Sequence, residues 1–196
     1  LTFTGIALFL SLIRKDLGLS FTQGGTLLVV NTWIYALMQI PAGYLTDRFG
    51  SKRLFFVGVV GTSALCLTFG LVSEYWQALA NQVLSGFFRA IIFVPSLVLL
   101  TGLFSPNRRA TAMGLSSLGL LWASIVLNII GPRLVASFGW RFPFLVFAPV
   151  GIIASFIFLR FAKESTSTGK KTDMREMLLL FRYPVMWVCA VLQFIR

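Results

Sequence analysis

Long apolar stretches recur along this chain with only short polar breaks between them, and no other feature constrains its fold as tightly. A helix needs roughly 20 apolar residues to cross a bilayer. Backbone N–H and C=O groups find no water in hydrocarbon, so each stretch must satisfy them internally, as an α-helix does. With 57% hydrophobic and 12% charged residues the chain is too apolar for a water-soluble domain. The expectation is an all-α, polytopic helical membrane protein whose surroundings are the lipid bilayer.

The formal charge of +11 would suit a nucleic-acid binder, but Lys and Arg fall in short clusters between apolar stretches rather than along one face. No nucleic-acid partner is expected. Cys66 and Cys189 both lie inside apolar stretches, where a thiol serves as a small filler, and histidine, the commonest metal ligand, is absent. No metal-ligand cluster, nucleophile–base pair or nucleotide loop stands out, so neither a cofactor nor an enzymatic reaction is expected.

The first stretch, 1–13, is shorter than a span and reads as the tail of a truncated helix. Arg14-Lys15-Asp16 then opens a polar turn that runs to Ser20, a residue suited to cap the next helix. Further helices are expected over 22–45, 52–72, 77–104, 110–137 and 142–161. Ser73-Glu74-Tyr75-Trp76 reads as a loop with interfacial aromatics, and Ser105-Pro106-Asn107-Arg108-Arg109 as a turn. Residues 1–162 would then form a transmembrane bundle and 163–182, rich in Ser, Thr and charge, a linker. A further apolar segment begins in 183–196.

Basic residues divide unevenly between alternate loops. Arg48, Lys52, Arg53, Arg108, Arg109, Arg160 and the linker cations fall on one side; Arg14, Lys15, Arg133 and Arg141 fall on the other. The basic excess marks the cytoplasmic side. Loop 46–53 and linker 163–182 are therefore expected inside the cell, in a protein of the plasma or inner membrane.

Between the second and third apolar stretches lies Gly43 to Arg53, GYLTDRFGSKR, an unusual loop with glycines at 43 and 50, the pair Asp47-Arg48, and Lys52-Arg53. It closely resembles the loop between helices two and three of the major facilitator superfamily. Ser105 to Gly114, SPNRRATAMG, is similar to that family's loop between helices four and five, and Gly139-Trp140-Arg141 to the start of its sixth helix. The resemblance runs over nearly the whole chain. It implies the amino-terminal six-helix bundle of a twelve-helix transporter, a fragment whose missing partner is the carboxy-terminal six-helix bundle. It also implies secondary transport of a small-molecule substrate by alternating access.

The resemblance further implies a conformational latch between the halves, drawn from Gly43, Asp47, Arg48, Gly50, Lys52 and Arg53, with Arg109 from the second segment. Gly43 lets a neighbouring helix approach, and Asp47 can accept hydrogen bonds at the amino terminus of a partner helix in the missing half, a partner it should lack in this chain. Three departures qualify the match: Ser51 stands at the first basic position after the second glycine, and Gln82 at the family's fourth-helix arginine. The fifth-helix glycine pattern of drug–proton antiporters is reduced to Gly131-Pro132, which argues against a drug exporter.

Arg89 falls near the middle of the fourth apolar stretch, where an unpaired cation costs at least ~2.5–3.5 kcal/mol. It should face water, a counter-charge or a ligand. Gln82, Ser85, Gly86 and Ser96 share its stripe at helical spacing; Asn31, Tyr35 and Gln39 form a second stripe, and Ser117, Ser124 and Asn128 a third. In the family, helices one, two, four and five line the central path, so the resemblance makes these residues candidates for substrate binding. Small polar residues serve equally to let helices pack closely or bond to one another, and an arginine can snorkel or sit in a buried ion pair. Asp and Glu are confined to the ends of the expected spans and to loops, leaving Arg89 the one charge near mid-membrane. An anionic substrate, such as an organic carboxylate, follows. The remaining alternatives are a sensor or partner protein that keeps the fold without transporting and, more remotely, a membrane-embedded enzyme.

Overall fold

Seven helices account for nearly all of residues 2–162, the part of the chain that the computed structural model describes: α1 (Thr2–Asp16), α2 (Phe21–Leu37), α3 (Gln39–Phe49), α4 (Ser51–Gly70), α5 (Tyr75–Leu103), α6 (Pro106–Phe138) and α7 (Arg141–Phe161). The expected linker 163–182 and the apolar segment 183–196 lie outside the described residues. Helices α4, α5, α6 and α7 are each long and apolar enough to cross a membrane, and α2 with α3 makes a fifth span bent by 50°. With α1 the arrangement is the six-helix bundle expected.

Local chemistry explains where the helices begin and end. Ser20 caps α2 through a reciprocal pair: its Oγ accepts from the Gln23 backbone N–H at 3.1 Å, and Gln23 Oε1 accepts from the Ser20 N–H at 2.9 Å. Gly50 (φ 86°) and Gly139 (φ 81°) reverse the chain after α3 and α6 in a conformation that disfavours any other residue.

Three expectations need correction. The helix expected over 22–45 is broken at Met38, because Pro41 supplies no N–H for the Leu37 carbonyl four residues back and its ring crowds that carbonyl. The turn expected from Ser105 to Arg109 is helical from Pro106 onward, since a proline at the first helical position forfeits no hydrogen bond. Tyr75 and Trp76 belong to the first turn of α5 rather than to a loop.

Helix crossings are set by small residues. A Cβ on Gly86 of α5 would lie 2.7 Å from the Asn31 carbonyl oxygen of α2. A Cβ on Gly58 of α4 would lie 3.0 Å from the Ile91 carbonyl oxygen, whose usual helical donor at position 95 is a proline. One apolar cluster gathers Ile6, Phe9 and Ile13 of α1 with Phe69, Trp140 and Phe144; a second holds Ala42, Leu54, Ala90 and Ile91. Helix α6 contributes little to either, and Leu115, Leu118, Leu121, Trp122 and Ile125 on it are exposed. For a helix in lipid such a surface needs no water-driven explanation.

One end of the bundle is clasped by polar groups. Asp16, at the end of α1, accepts from Arg141 at 3.0 Å and from the Trp140 indole N–H at 3.1 Å, while Arg141 also donates to the Val72 carbonyl at 3.0 Å. Asp16 and Arg141 are each more than 40% exposed, so water screens their attraction. Trp140, by contrast, is 6% exposed and packs against Phe69 and Phe144. Trp140→Ala should therefore lower stability in detergent by about 3–5 kcal/mol and Arg141→Ala by only about 1 kcal/mol. Thermal melts of the two variants test this ordering; a larger loss for Arg141→Ala would mean that charge rather than packing holds the clasp.

Candidate functional site

Helix α5 places Arg89 fourteen residues from each of its ends, Tyr75 and Leu103. At a rise of about 1.5 Å per residue, that is roughly 21 Å of helix in either direction. The side chain is too short to reach the ends of the helix, so the cation must be accommodated where it stands. The guanidinium Nη1 donates to Asn31 Oδ1 at 3.1 Å. Its central carbon lies 4.4 Å from the Tyr35 ring centroid and 4.6 Å from that of Phe3, both within range of cation–π attraction. Three helices, α1, α2 and α5, thus meet at one half-buried cation.

The amide of Asn31 is held from both sides. Fully buried, it donates from Nδ2 to the Gln82 carbonyl at 3.1 Å while its oxygen accepts from Arg89. Gln82 and Arg89 are seven residues apart, two turns of one helix face, so a single side chain of α2 ties two levels of α5. The close approach that makes this possible is the one over Gly86. Gln82 is itself fully buried, and its Nε2 contacts Asn81 Oδ1 at 3.4 Å while Oε1 is left without a partner. Asn81 in turn donates to the Leu65 carbonyl and Thr68 Oγ1 of α4, both at 2.9 Å.

Among the described residues no carboxylate neutralises Arg89. The one ion pair among the described residues is Asp16 with Arg141, and Nε and Nη2 of Arg89 make no hydrogen bond there. A planar fork with two unsatisfied donors along one edge matches the two oxygens of a carboxylate.

The polar stripes behave differently from one another. Asn31 and Tyr35 of the second stripe converge on Arg89, whereas Gln39 lies beyond the bend in α3 with its Nε2 buried and unpartnered. Ser85 and Gly86 are buried, Gly86 against α2, and Ser96 Oγ bonds to the Phe93 carbonyl of its own helix. The third stripe is not brought to the site: Ser117, Ser124 and Asn128 each donate to a carbonyl four residues back on α6, and Asn128 is exposed. Phe3 and Asn81 also belong to this network, though neither stands out in the sequence. An aromatic on the first apolar stretch carries no periodic signal of a cation partner, and Asn81 sits one position off the Arg89 stripe.

The loop motif is also on view. Asp47 lies exposed in the last turn of α3, not at a helix amino terminus, and makes no side-chain hydrogen bond among the described residues. The helix amino terminus it is expected to meet belongs to a carboxy-terminal bundle, and the position before α4 is held by Gly50, which has no side chain to cap with. Arg48 donates to the Tyr44 hydroxyl at 3.3 Å, Arg53 is exposed, Lys52 and Gly43 are partly exposed, and Ser51 is buried. Arg109 donates to the Phe104 carbonyl at 3.2 Å, closing the carboxy-terminal end of α5.

A family model described as the Major Facilitator Superfamily matches residues 1–195. The chain belongs to that superfamily. Among curated relatives of this superfamily member, a D-galactonate transporter of Escherichia coli O6:H1 is 27% identical over 76% of the chain and 34% of the relative. A tetracenomycin C resistance and export protein of Streptomyces glaucescens is 36% identical over 64% of the chain and 24% of the relative. The chain thus spans about a third or less of the length of these relatives. In three dimensions it superposes on the crystal structure of a bacterial homologue of the human lysosomal transporter Spinster, inward-facing and unoccupied. That match has a TM-score of 0.70 and 23% identity, and covers 86% of this chain and 41% of the other; it establishes the fold. With its long apolar helices, this member of the superfamily is a multi-pass membrane protein.

Proposed function

We propose that the chain is the six-helix bundle of a secondary transporter that carries a small organic anion by alternating access, with Arg89 binding the substrate carboxylate. The observation that carries this reading is the uncompensated cation at the centre of α5, with two guanidinium nitrogens free of hydrogen bonds among the described residues. A relative named for D-galactonate, itself a carboxylate, supports the substrate class. In the proposed site Tyr35 and Phe3 face the guanidinium, Asn31 orients it, and the Gln82 carbonyl holds Asn31 from α5; Ser85 is buried on α5 nearby in sequence. Gln39 and Asn128, which do not reach the cluster, are left outside it.

The motif from Gly43 to Arg53, with Asp47 exposed and unpartnered among the described residues, is proposed to contact a carboxy-terminal bundle on the cytoplasmic side of the inner membrane. Such a contact leaves Asp47 free in the bundle by itself.

The test is flux through the full-length gene product in liposomes. A panel of labelled aldonates, aldarates, uronates and simple carboxylates is compared with neutral sugars and alditols. Uptake of at least one carboxylate above its neutral counterpart is expected. Uptake of neutral solutes alone would overturn the anion reading, and no flux of any solute would favour a sensor or partner protein of the same fold.

A further inference from the structure

We infer that Asn31 is the residue that sets the charge selectivity of the site, by orienting Arg89 with a neutral acceptor. This rests on the reading of Arg89 as the carboxylate-binding cation. Asn31 is completely buried, so its amide has a fixed set of partners rather than water. Its Nδ2 must point at the Gln82 carbonyl, because a carbonyl can only accept, and its oxygen must then face the Arg89 Nη1. Both ends of the amide are used, and the orientation cannot flip without setting NH2 against guanidinium and oxygen against carbonyl.

The consequence is electrostatic. A guanidinium in the middle of a span could have been stabilised by an Asp at position 31, which has nearly the same size and shape. That arrangement would cancel the charge and occupy the fork. An amide gives the hydrogen bond without the countercharge, which leaves the site with one net positive charge and one open edge of the fork. The two aromatic rings, Phe3 and Tyr35, add attraction to the cation without supplying a carboxylate. The backbone of α2 is fixed at this point by its approach to Gly86, so residue 31 cannot retreat from Arg89 without moving the helix.

The experiment uses the full-length gene product in liposomes with D-galactonate and its neutral counterpart galactitol, or the best carboxylate and alditol pair from the flux panel. Asn31→Asp should collapse the ratio of carboxylate to alditol uptake by about a hundredfold, the scale of losing one charge-assisted bidentate contact. Asn31→Ala keeps the cation but frees it, and should raise KM for the carboxylate by about tenfold with kcat little changed. A merely structural role would lower uptake of both solutes together and leave the ratio intact. A folded Asn31→Asp protein with the wild-type ratio overturns the inference, as does an Asn31→Ala protein with the wild-type KM. Should Asn31→Asp fail to fold, the KM of Asn31→Ala decides alone. Arg89→Ala separates the two levels: wild-type carboxylate uptake by that variant sinks the proposed function itself. Its loss, together with wild-type behaviour of both Asn31 variants, sinks only the role of Asn31.

Discussion

Arg89→Ala is expected to reduce carboxylate uptake by the full-length protein by on the order of a hundredfold in kcat/KM, the equivalent of about 2–3 kcal/mol for charge-assisted hydrogen bonds removed from a half-buried site. Stability should not fall in parallel. An arginine at the middle of a span is itself an expense of at least ~2.5–3.5 kcal/mol, which one charged hydrogen bond to Asn31 (about 1.5–3 kcal/mol) and two ring contacts (about 0.5–2 kcal/mol each) offset, so its removal should leave stability near wild type. A residue kept only for structure would show the opposite balance. Arg89→Lys is the sharper variant: it preserves the charge but replaces the planar fork by a compact ammonium that cannot present two parallel donors. It should recover a minor part of the lost activity. Measured initial rates of labelled carboxylate uptake, alongside thermal melts, check both; equal carboxylate transport by wild type and Arg89→Ala would remove Arg89 from the site.

Gly86→Val should abolish uptake of every solute and destabilise the bundle. The added Cβ alone would sit 2.7 Å from the Asn31 carbonyl oxygen and 3.0 Å from Ile34 Cβ. Neither atom can rotate away, since one belongs to the backbone and the other is fixed to it. Overpacking of this kind costs about 1–3 kcal/mol where the structure can adjust. Here adjustment means moving α2 off α5, and the same movement would pull Asn31 from both Gln82 and Arg89. Gly25→Val is the control, because a Cβ on Gly25 meets nothing within 4 Å. Melting temperature and uptake should fall together for Gly86→Val and stay near wild type for Gly25→Val. A stable, active Gly86→Val protein would show that α2 and α5 need not touch there.

Much of the architecture was legible because it depends on local rules. Ser20 and Gln23 are three residues apart, and their reciprocal cap requires nothing from elsewhere in the chain. The span of α4, expected over 52–72, begins at Ser51 and ends at Gly70, within two residues at each end. The bend at Met38 was missed although its cause, Pro41, is in plain view; the apolar run continues through the break, so hydrophobicity carries no trace of it. The start of α6 was misjudged for the opposite reason. Pro106 and two arginines look like a break in the pattern, yet proline at the first helical position is favourable and an arginine can turn back to cap the preceding helix, as Arg109 does.

At the site the division is similar. That Arg89 is costly and central followed from its position alone, and two members of the second stripe, Asn31 and Tyr35, do meet it. Asn128 looked equivalent to Asn31, an asparagine on an apolar helix with serine neighbours. It turns instead to the Ser124 carbonyl on its own helix. The difference lies in what stands opposite: Asn31 faces Gly86, where two backbones come close, while Asn128 is exposed among the described residues. Nothing within one helix distinguishes the two.

The sequence by itself determined that the chain is a bundle of membrane helices, roughly where most of them begin and end, and that one cation lies in the middle of the fourth apolar stretch. These follow from the cost of bare backbone and bare charge in hydrocarbon, which every residue meets individually. Only the tertiary structure decided that Phe3, Asn31 and Tyr35 are the residues around that cation and that Asn128 turns to its own helix instead of joining them. Those choices depend on how far each helix is rotated and how closely it approaches its neighbour. Both are fixed by contacts such as Gly86 on Asn31, between residues 55 positions apart, to which no periodicity along the chain refers.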